Sequence, residues 1–282
     1  MDMTVTSKKW MKSANWHMTS HCNYRCTFCC MQKLTGDLVS LKRAREVLDH
    51  LKRLGIEKIN FVGGEPMCNA LIFDVTMLAH KKGFTVGITS NGSMMNKEVL
   101  RRFEGYVDWI GLSIDSSSDE IEKKLGRGNG AHVAHCNELV DAIHEAGIKL
   151  KVNTTVTRFS YQEDMRDFIR NLNPSRWKIF QFLHVPGQND HAVASLGITN
   201  EEFDQFRSIN NDIRLSSRAS PVFETASCMI DSYLMLTPKG TLFLNTEFPF
   251  KEYPLESIQR EMLADIVNVE KYFQRGAIYD WH

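Results

Sequence analysis

Residues 14–30 read ANWHMTSHCNYRCTFCC, and the fold is decided there. Positions 14–18 read as a short strand, and the chain then turns directly into a loop carrying Cys22, Cys26 and Cys29 in a C-x3-C-x2-C spacing. Three thiolates on one tight loop can hold three irons of a [4Fe–4S] cluster and leave the fourth iron open. A structural zinc would need a fourth protein ligand, for which His21 or Cys30 is at hand. The cysteines alone leave both possibilities standing.

Outward from that loop, β-rich runs alternate with helical ones. Strands are expected at 58–62, 85–90, 109–114, 149–156 and 176–183, and helices at 41–54, 72–82, 97–103, 132–146 and 163–172. In the first helix Leu41, Ala44, Val47, Leu48, Leu51 and Leu54 share one stripe, and Ser40 is placed to cap it. Ser160 with Glu163 predicts a capping box at the start of the helix over 163–172. Six βα units imply parallel strands with right-handed crossovers, hence an α/β fold of barrel type. Past Gln188 the rhythm changes to a helix near 200–211, a Ser-rich stretch, a strand pair within 233–244 and a final helix near 265–274. We read residues 1–188 as the barrel core and 189–282 as a C-terminal extension that packs on the barrel and closes it.

The strands carry a second message. Strands covered by helices on both faces are apolar throughout, yet here one face is polar or small: Lys58 and Asn60; Thr85, Gly87 and Thr89; Gly111, Ser113 and Asp115; Lys149, Lys151 and Asn153; Arg176 and Lys178. The alternate positions are apolar and belong beneath the helices. The polar set therefore faces the lumen, where unpaired cations cost several kcal/mol each unless an anion or water meets them.

Composition narrows the function. The 282 residues are 43% hydrophobic and 24% charged, an ordinary globular balance. Lys+Arg and Asp+Glu are 34 each, so a broad nucleic-acid or acidic-membrane surface is not expected. No apolar run approaches a membrane span, and residues 1–16 lack the apolar core of a secretory signal. Seven cysteines, three of them crowded, fit metal or redox use in a reducing cytoplasm better than disulfides. Cys136 falls on an apolar helical stripe and reads as core, while Cys68 and Cys228 are isolated, which argues against a second cluster.

Three further motifs follow successive strands: Gly63-Gly64-Glu65-Pro66, Ser90-Asn91-Gly92 and Ser113-Ile114-Asp115. Active sites on such barrels form at these strand ends. Together with the cysteine loop they resemble the radical S-adenosylmethionine (radical SAM) superfamily. That resemblance implies a partial (βα)6 barrel, a [4Fe–4S] cluster on Cys22, Cys26 and Cys29, and S-adenosyl-L-methionine chelating the open iron. It also implies that Gly64 and Glu65 hold the cofactor amine, with Ser90, Ser113 and Arg127 near its carboxylate and ribose.

A closer likeness covers residues 15–236. NWHMTSHCNYRCTFCC, EKINFVGGEP, SIDSSSDE, GRGNG, KVNTTVTRF, RWKIFQFL and DSYLML resemble the viperin-like enzymes of that superfamily. This implies a dehydratase that turns a nucleoside triphosphate, CTP first with UTP or GTP as alternatives, into its 3′-deoxy-3′,4′-didehydro form. Such a product terminates polymerase chains in antiviral defence. The implied partners are a flavodoxin- or ferredoxin-type electron donor and iron–sulfur assembly proteins, with neither nucleic acid nor membrane. The residues support the likeness independently. Lys58, Lys151, Arg176 and Lys178 suit a triphosphate, and Asn15, Asn60 and Asn153 suit sugar or base. Tyr233, in Asp231-Ser232-Tyr233-Leu234, is the candidate final hydrogen donor.

Departures from the family pattern leave the base open. Val62 stands where a serine is expected, Cys30 where an aromatic is usual, and Thr237-Pro238 where an acidic pair is usual. Cys22 lies so near the start that the amphipathic membrane helix of animal relatives is not expected. The competing readings are another radical SAM reaction, such as nucleotide cyclisation or peptide modification, and a non-catalytic iron–sulfur or zinc module.

Overall fold

The computed structural model describes residues 10–38 and 40–281, so the first part of the stretch read as lacking a secretory signal lies outside the described residues. The core strands are β1 (Ser13–His17), β2 (Lys58–Val62), β3 (Thr85–Ser90), β4 (Trp109–Ser113), β5 (Lys149–Val156) and β6 (Arg176–Gln181). Between them run α1 (Leu41–Arg53), α2 (Ile72–Lys81), α3 (Lys97–Phe103), α4 (Asp119–Lys124), α5 (His132–Glu145) and α6 (Arg166–Leu172). Beyond β6 come α7 (Val193–Leu196), α8 (Asn200–Asn210), β7 (Val222–Glu224), α9 (Ala226–Met229), β8 (Met235–Leu236), β9 (Leu242–Phe243), β10 (Glu252–Tyr253), α10 (Leu263–Ile266) and α11 (Val269–Gln274). The fold class expected from the sequence, a partial α/β barrel with a C-terminal extension, is the fold found.

All ten strands form one sheet in the order β10-β9-β8-β1-β2-β3-β4-β5-β6-β7. β1 through β6 pair in parallel, as the βα rhythm requires. The extension then adds to both edges: β7 lies parallel to β6, and β8 parallel to β1. β7 is the strand that the Ser-rich stretch concealed, because three residues cannot display a period.

The alternation sorts as read. Ile59, Phe61, Val86, Ile88, Ile110, Leu112, Val152, Trp177 and Ile179 are fully buried in the main core under the helices. Each apolar side chain buried this way contributes roughly 1.5–3 kcal/mol. Parallel register then sets their polar neighbours side by side on the other face: Asn15 opposite Asn60, Ser113 opposite Asn153, and Asn153 opposite Lys178. Gly111 leaves room there for the Lys151 side chain, whose Cε would lie 2.8 Å from a Cβ at that position.

Local chemistry departs from expectation in a few places. Ser40 caps α1 by accepting from the Arg43 N–H, as predicted. The Ser160–Glu163 capping box does not form. Ser160 Oγ instead accepts from the Thr157 N–H, Glu163 accepts from Ser117, and α6 begins only at Arg166. A capping box is found on α8, between Thr199 and Glu202. The helix expected over 265–274 is broken into α10 and α11, with Asn268 capping the second through the Lys271 N–H.

Candidate active site

A cavity of about 870 Å³ runs through the lumen, walled at its upper end by the cysteine loop and lower down by lysines and asparagines. The upper end is built by backbone contacts. Gly64 N–H donates to the Thr19 carbonyl at 2.8 Å, and Glu65 N–H donates to the His21 carbonyl at 2.7 Å. A Cβ on Gly64 would sit 2.2 Å from the His21 carbonyl oxygen, so only glycine lets the GGEP turn clasp the cysteine loop. From the opposite side the loop is held by Arg25 N–H to the Gly126 carbonyl and Thr27 N–H to the Leu125 carbonyl.

Cys22, Cys26, Cys29 and Cys30 all line the cavity, each partly buried. Burial pushes the free thiols of Cys26 and Cys29 up to about 12; bound iron would hold them as thiolates. Among the described residues no three His, Cys, Asp or Glu side chains converge on one metal ion. His21, the candidate fourth zinc ligand, pairs instead with Asp37 at 3.1 Å. Three thiols on one loop supply one thiolate to each of three irons and leave the fourth open. The donor set fits a [4Fe–4S] cluster.

Glu65 is fully buried. It accepts from the Met67 N–H at 3.1 Å, from Ser90 Oγ at 2.8 Å and from the Asn91 N–H at 2.8 Å. Burial raises its carboxyl, while these donors oppose the rise. Glu65 and Ser90 thus bolt the GGEP turn to the Ser-Asn-Gly turn before any ligand enters. Arg127 donates to Asp115 at 2.7 Å and faces Glu122 at 3.5 Å; burial, then the Asp115 charge, pushes Glu122 up to about 8. Ser113 and Arg127 both line the cavity.

The lower lumen is different. Lys58 Nζ donates to Tyr279 Oη at 2.6 Å and lies 4.7 Å from the Trp109 ring centre and 5.5 Å from that of Trp281. Burial, then Lys151 and Arg176, push Lys58 down to about 6, against the ring faces that favour its charged form. Burial and neighbouring cations push Lys151 down to about 7 and, although Glu224 opposes them, Lys178 to about 8. Asn60 donates to Asn15 at 3.2 Å and to Thr89 Oγ1 at 3.1 Å, while Asn153 Oδ1 is buried with no hydrogen-bond partner among the described residues.

The structure therefore brings Asn15, Lys58, Asn60, Lys151, Asn153, Lys178 and Tyr233 to one cavity wall, but not Arg176. Arg176 donates to the Gly276 carbonyl at 2.7 Å, and its guanidinium stacks 3.7 Å from the Tyr279 ring centre, which places it behind the wall. Lys178 is not a free cation either, since Glu224 pairs with it. Glu224, Arg275 and the tail residues Tyr279 and Trp281 are site residues that sequence reasoning missed. Arg275 Nε donates to the Ser232 carbonyl at 3.0 Å and its guanidinium covers the Tyr233 ring at 3.5 Å. Trp109 Nε1 donates to the Trp281 carbonyl at 3.1 Å, which fixes the tail across the strand starts.

Residues 16–172 match the Radical SAM superfamily model. The chain belongs to the radical SAM superfamily. Within it, a protein named S-adenosylmethionine-dependent nucleotide dehydratase from Thermoplasmatales archaeon (strain ISO4-H5) is 38% identical over 100% of both chains. A protein of the same name from Flammeovirga pacifica is 34% identical, again over 100% of both. The viperin-like resemblance read from the motifs and these relatives agree on one family, and the chain is an enzyme of it. Among solved structures, SuiB of Streptococcus suis bound to S-adenosylmethionine superposes with a TM-score of 0.70, covering 95% of this chain and 68% of its own at 16% identity. That likeness concerns the fold. No helix among the described residues is long and apolar enough to cross a membrane.

Proposed function

We propose that this radical SAM enzyme dehydrates a nucleoside triphosphate, CTP first and UTP or GTP as alternatives, to its 3′-deoxy-3′,4′-didehydro form. One observation carries the reading: the lower lumen gathers Lys58, Lys151 and Lys178, all depressed by burial, around a space with little protein anion to meet them. A bound polyanion removes that penalty. The family names of its relatives point the same way.

When bound, the [4Fe–4S] cluster on Cys22, Cys26 and Cys29 supplies, with S-adenosyl-L-methionine, the 5′-deoxyadenosyl radical that takes the 4′ hydrogen. The remaining work falls to the chain itself. Lys151 receives phosphate oxygens, Lys178, beside Tyr233, meets the sugar end of the nucleotide, and Lys58 adds charge from its aromatic surround. Asn153, whose Oδ1 has no partner among the described residues, together with Asn15 and Asn60, receives the sugar and base. Gly64, Glu65, Ser90, Ser113 and Arg127 form and brace the wall on which the cofactor rests, Glu65 through its bonds to Ser90 and Asn91. Arg176 steadies the wall from behind through Gly276. Tyr233 stands on the cavity wall as the donor of the final hydrogen.

Residues 189–282 act in this reading as part of the catalytic unit, since Glu224, Tyr233 and Arg275 come from them. The product would serve as a chain terminator in antiviral defence in the cytoplasm. A one-electron donor of flavodoxin or ferredoxin type and iron–sulfur assembly proteins complete the scheme. Anaerobic reconstitution followed by incubation with CTP, UTP and GTP tests it. The expected result is a nucleotide lighter by one water, formed with 5′-deoxyadenosine; cofactor cleavage with no dehydrated triphosphate would overturn it.

A further inference from the structure

Glu224 ends β7 at the position opposite Phe180 of β6, and no part of it reaches solvent. One carboxylate oxygen pairs with Lys178 Nζ, and the other accepts the phenolic O–H of Tyr233. Lys178 Nζ also lies 3.3 Å from Tyr233 Oη, so carboxylate, ammonium and phenol close a triangle. Burial alone would raise the Glu224 carboxyl, but Lys178 and Arg275 overcome it and hold the group below the usual range. The phenol moves the other way: burial, then the Glu224 charge, keeps Tyr233 protonated. Its proton is thus directed at Glu224 and not into the cavity. Tyr233 and Lys178 line the cavity; Glu224 does not.

We propose that Glu224 is the proton acceptor for Tyr233 and so separates the two things Tyr233 must deliver, taking its proton while the electron goes to the sugar and returning that proton through Lys178. The inference rests on the nucleotide reading above. After hydrogen abstraction the sugar is a radical that still carries its 3′-hydroxyl. To become a closed-shell 3′,4′-alkene plus water it needs one electron and one proton. The Tyr233 O–H bond breaks, the electron passes to the sugar and the proton to Glu224. The C3′–O bond breaks, the departing hydroxide takes a proton from the Lys178 ammonium, and Glu224 restores that proton to Lys178. The sum is phenol plus hydroxylated sugar radical giving phenoxyl, didehydro sugar and water. A low-potential one-electron donor with a solvent proton returns the phenoxyl to phenol.

The charged groups around this triangle are Arg275 from the chain after α11, which covers the Tyr233 ring, Arg176 of β6 behind the wall, and Lys151 of β5, whose charge Glu224 also feels. A guanidinium has no acceptor atom and Lys151 makes no hydrogen bond to the phenol, so Glu224 is the acceptor the geometry supplies for the phenolic proton.

Two measurements test this. Ultraviolet resonance Raman, taken as parent minus Tyr233→Phe, reads whether the phenol donates a hydrogen bond, without turnover or cluster. A strong donor signature is expected in the parent and a weakened one in Glu224→Gln. With 4′-deuterated nucleotide, Glu224→Gln should transfer deuterium into 5′-deoxyadenosine at close to the parent rate, while didehydro product per cofactor cleaved falls about a hundredfold, the scale of a lost proton-transfer group. Glu224→Asp, which keeps the carboxylate, should recover part of the coupling; a merely structural role would instead lower deuterium transfer and product together. An unchanged donor signature or unchanged coupling in Glu224→Gln overturns the role. The Raman readout needs no nucleotide, so a parent that dehydrates none of the three triphosphates yet shows the expected spectral change would overturn the nucleotide reading and leave the Glu224 contact established.

Discussion

The two ends of the cavity are opposite in their electrostatics. At the strand C-termini the charged groups are answered by the chain itself: Glu65 by three donors, and Arg127 by Asp115 and Glu122. At the strand N-termini Lys58, Lys151 and Lys178 crowd together, and Glu224, the carboxylate that pairs with Lys178, is shared with Tyr233. A finished network holds a shape; an unfinished one asks for a ligand. On the function proposed above, the upper end is a scaffold that presents three thiols, and the lower end is a receptor for an anion.

The largest effect should come from breaking the upper end at its metal. Cys22→Ala removes one of three thiolates, and two cannot enclose the cluster. Iron and sulfide should fall from about four per chain to near zero, while far-ultraviolet circular dichroism stays that of the parent. Full iron content in that variant would remove Cys22 from the site.

Next in size is the carboxylate that ties the upper end together. Glu65→Ala leaves the Met67 and Asn91 N–H groups and Ser90 Oγ buried without their acceptor. The expected loss is about 2–4 kcal/mol of unfolding free energy, read from urea denaturation of the cluster-free protein. Equal midpoints in parent and variant would mean that the network carries no load.

How much of this contrast was legible in the sequence depends on the length over which each signal repeats. The five strands β2 to β6 declared their faces, because runs such as Lys149–Val156 and Arg176–Gln181 are long enough for a period of two to show. The C-x3-C-x2-C spacing and the strand-end glycines were legible because each is local. Glu224 was not, since its strand is three residues long and its partners lie on β6 and in the segment before β8. Tyr279 and Trp281 follow the last helix, where no periodicity predicts that the tail will cross beneath Lys58 and Trp109. Arg176 lies behind the wall for a related reason: its strand face is as read, but the tail that covers it could not be foreseen. Glu163 shows the same limit, its carboxylate being claimed by Ser117 from a distant loop and not by its own helix start.

At the lower end the effect of single residues should be intermediate and selective. Lys151 makes no hydrogen bond or ion pair with the described residues, so Lys151→Met removes a cation and leaves no protein group orphaned. Nucleotide triphosphate binding should weaken by about 1.5–3 kcal/mol, the scale of a charge-assisted hydrogen bond. S-adenosyl-L-methionine binding, measured in the same calorimetric series, should change little. Equal loss of both would mean that the two ends are not separate sites.

The smallest effect is also the most direct reading of the contrast, because it titrates the receptor end alone. Lys58, Lys151 and Lys178 are held down at about 6, about 7 and about 8 in the ligand-free protein. A lysine is charged only below its pKa, so at pH 8 the first two are mostly neutral and the third is half charged. An anionic triphosphate favours the charged form and raises all three. Binding at pH 8 should therefore draw protons from the buffer, and affinity should decline as pH rises, by about three- to tenfold per unit for each proton taken up. Calorimetry in two buffers of different ionisation heat measures that uptake, which should shrink toward pH 6 and fall in Lys151→Met. Binding heats that are the same in both buffers at pH 8 would mean that the lysines do not change protonation when the anion arrives, and the division between a finished upper end and an unfinished lower one would fail.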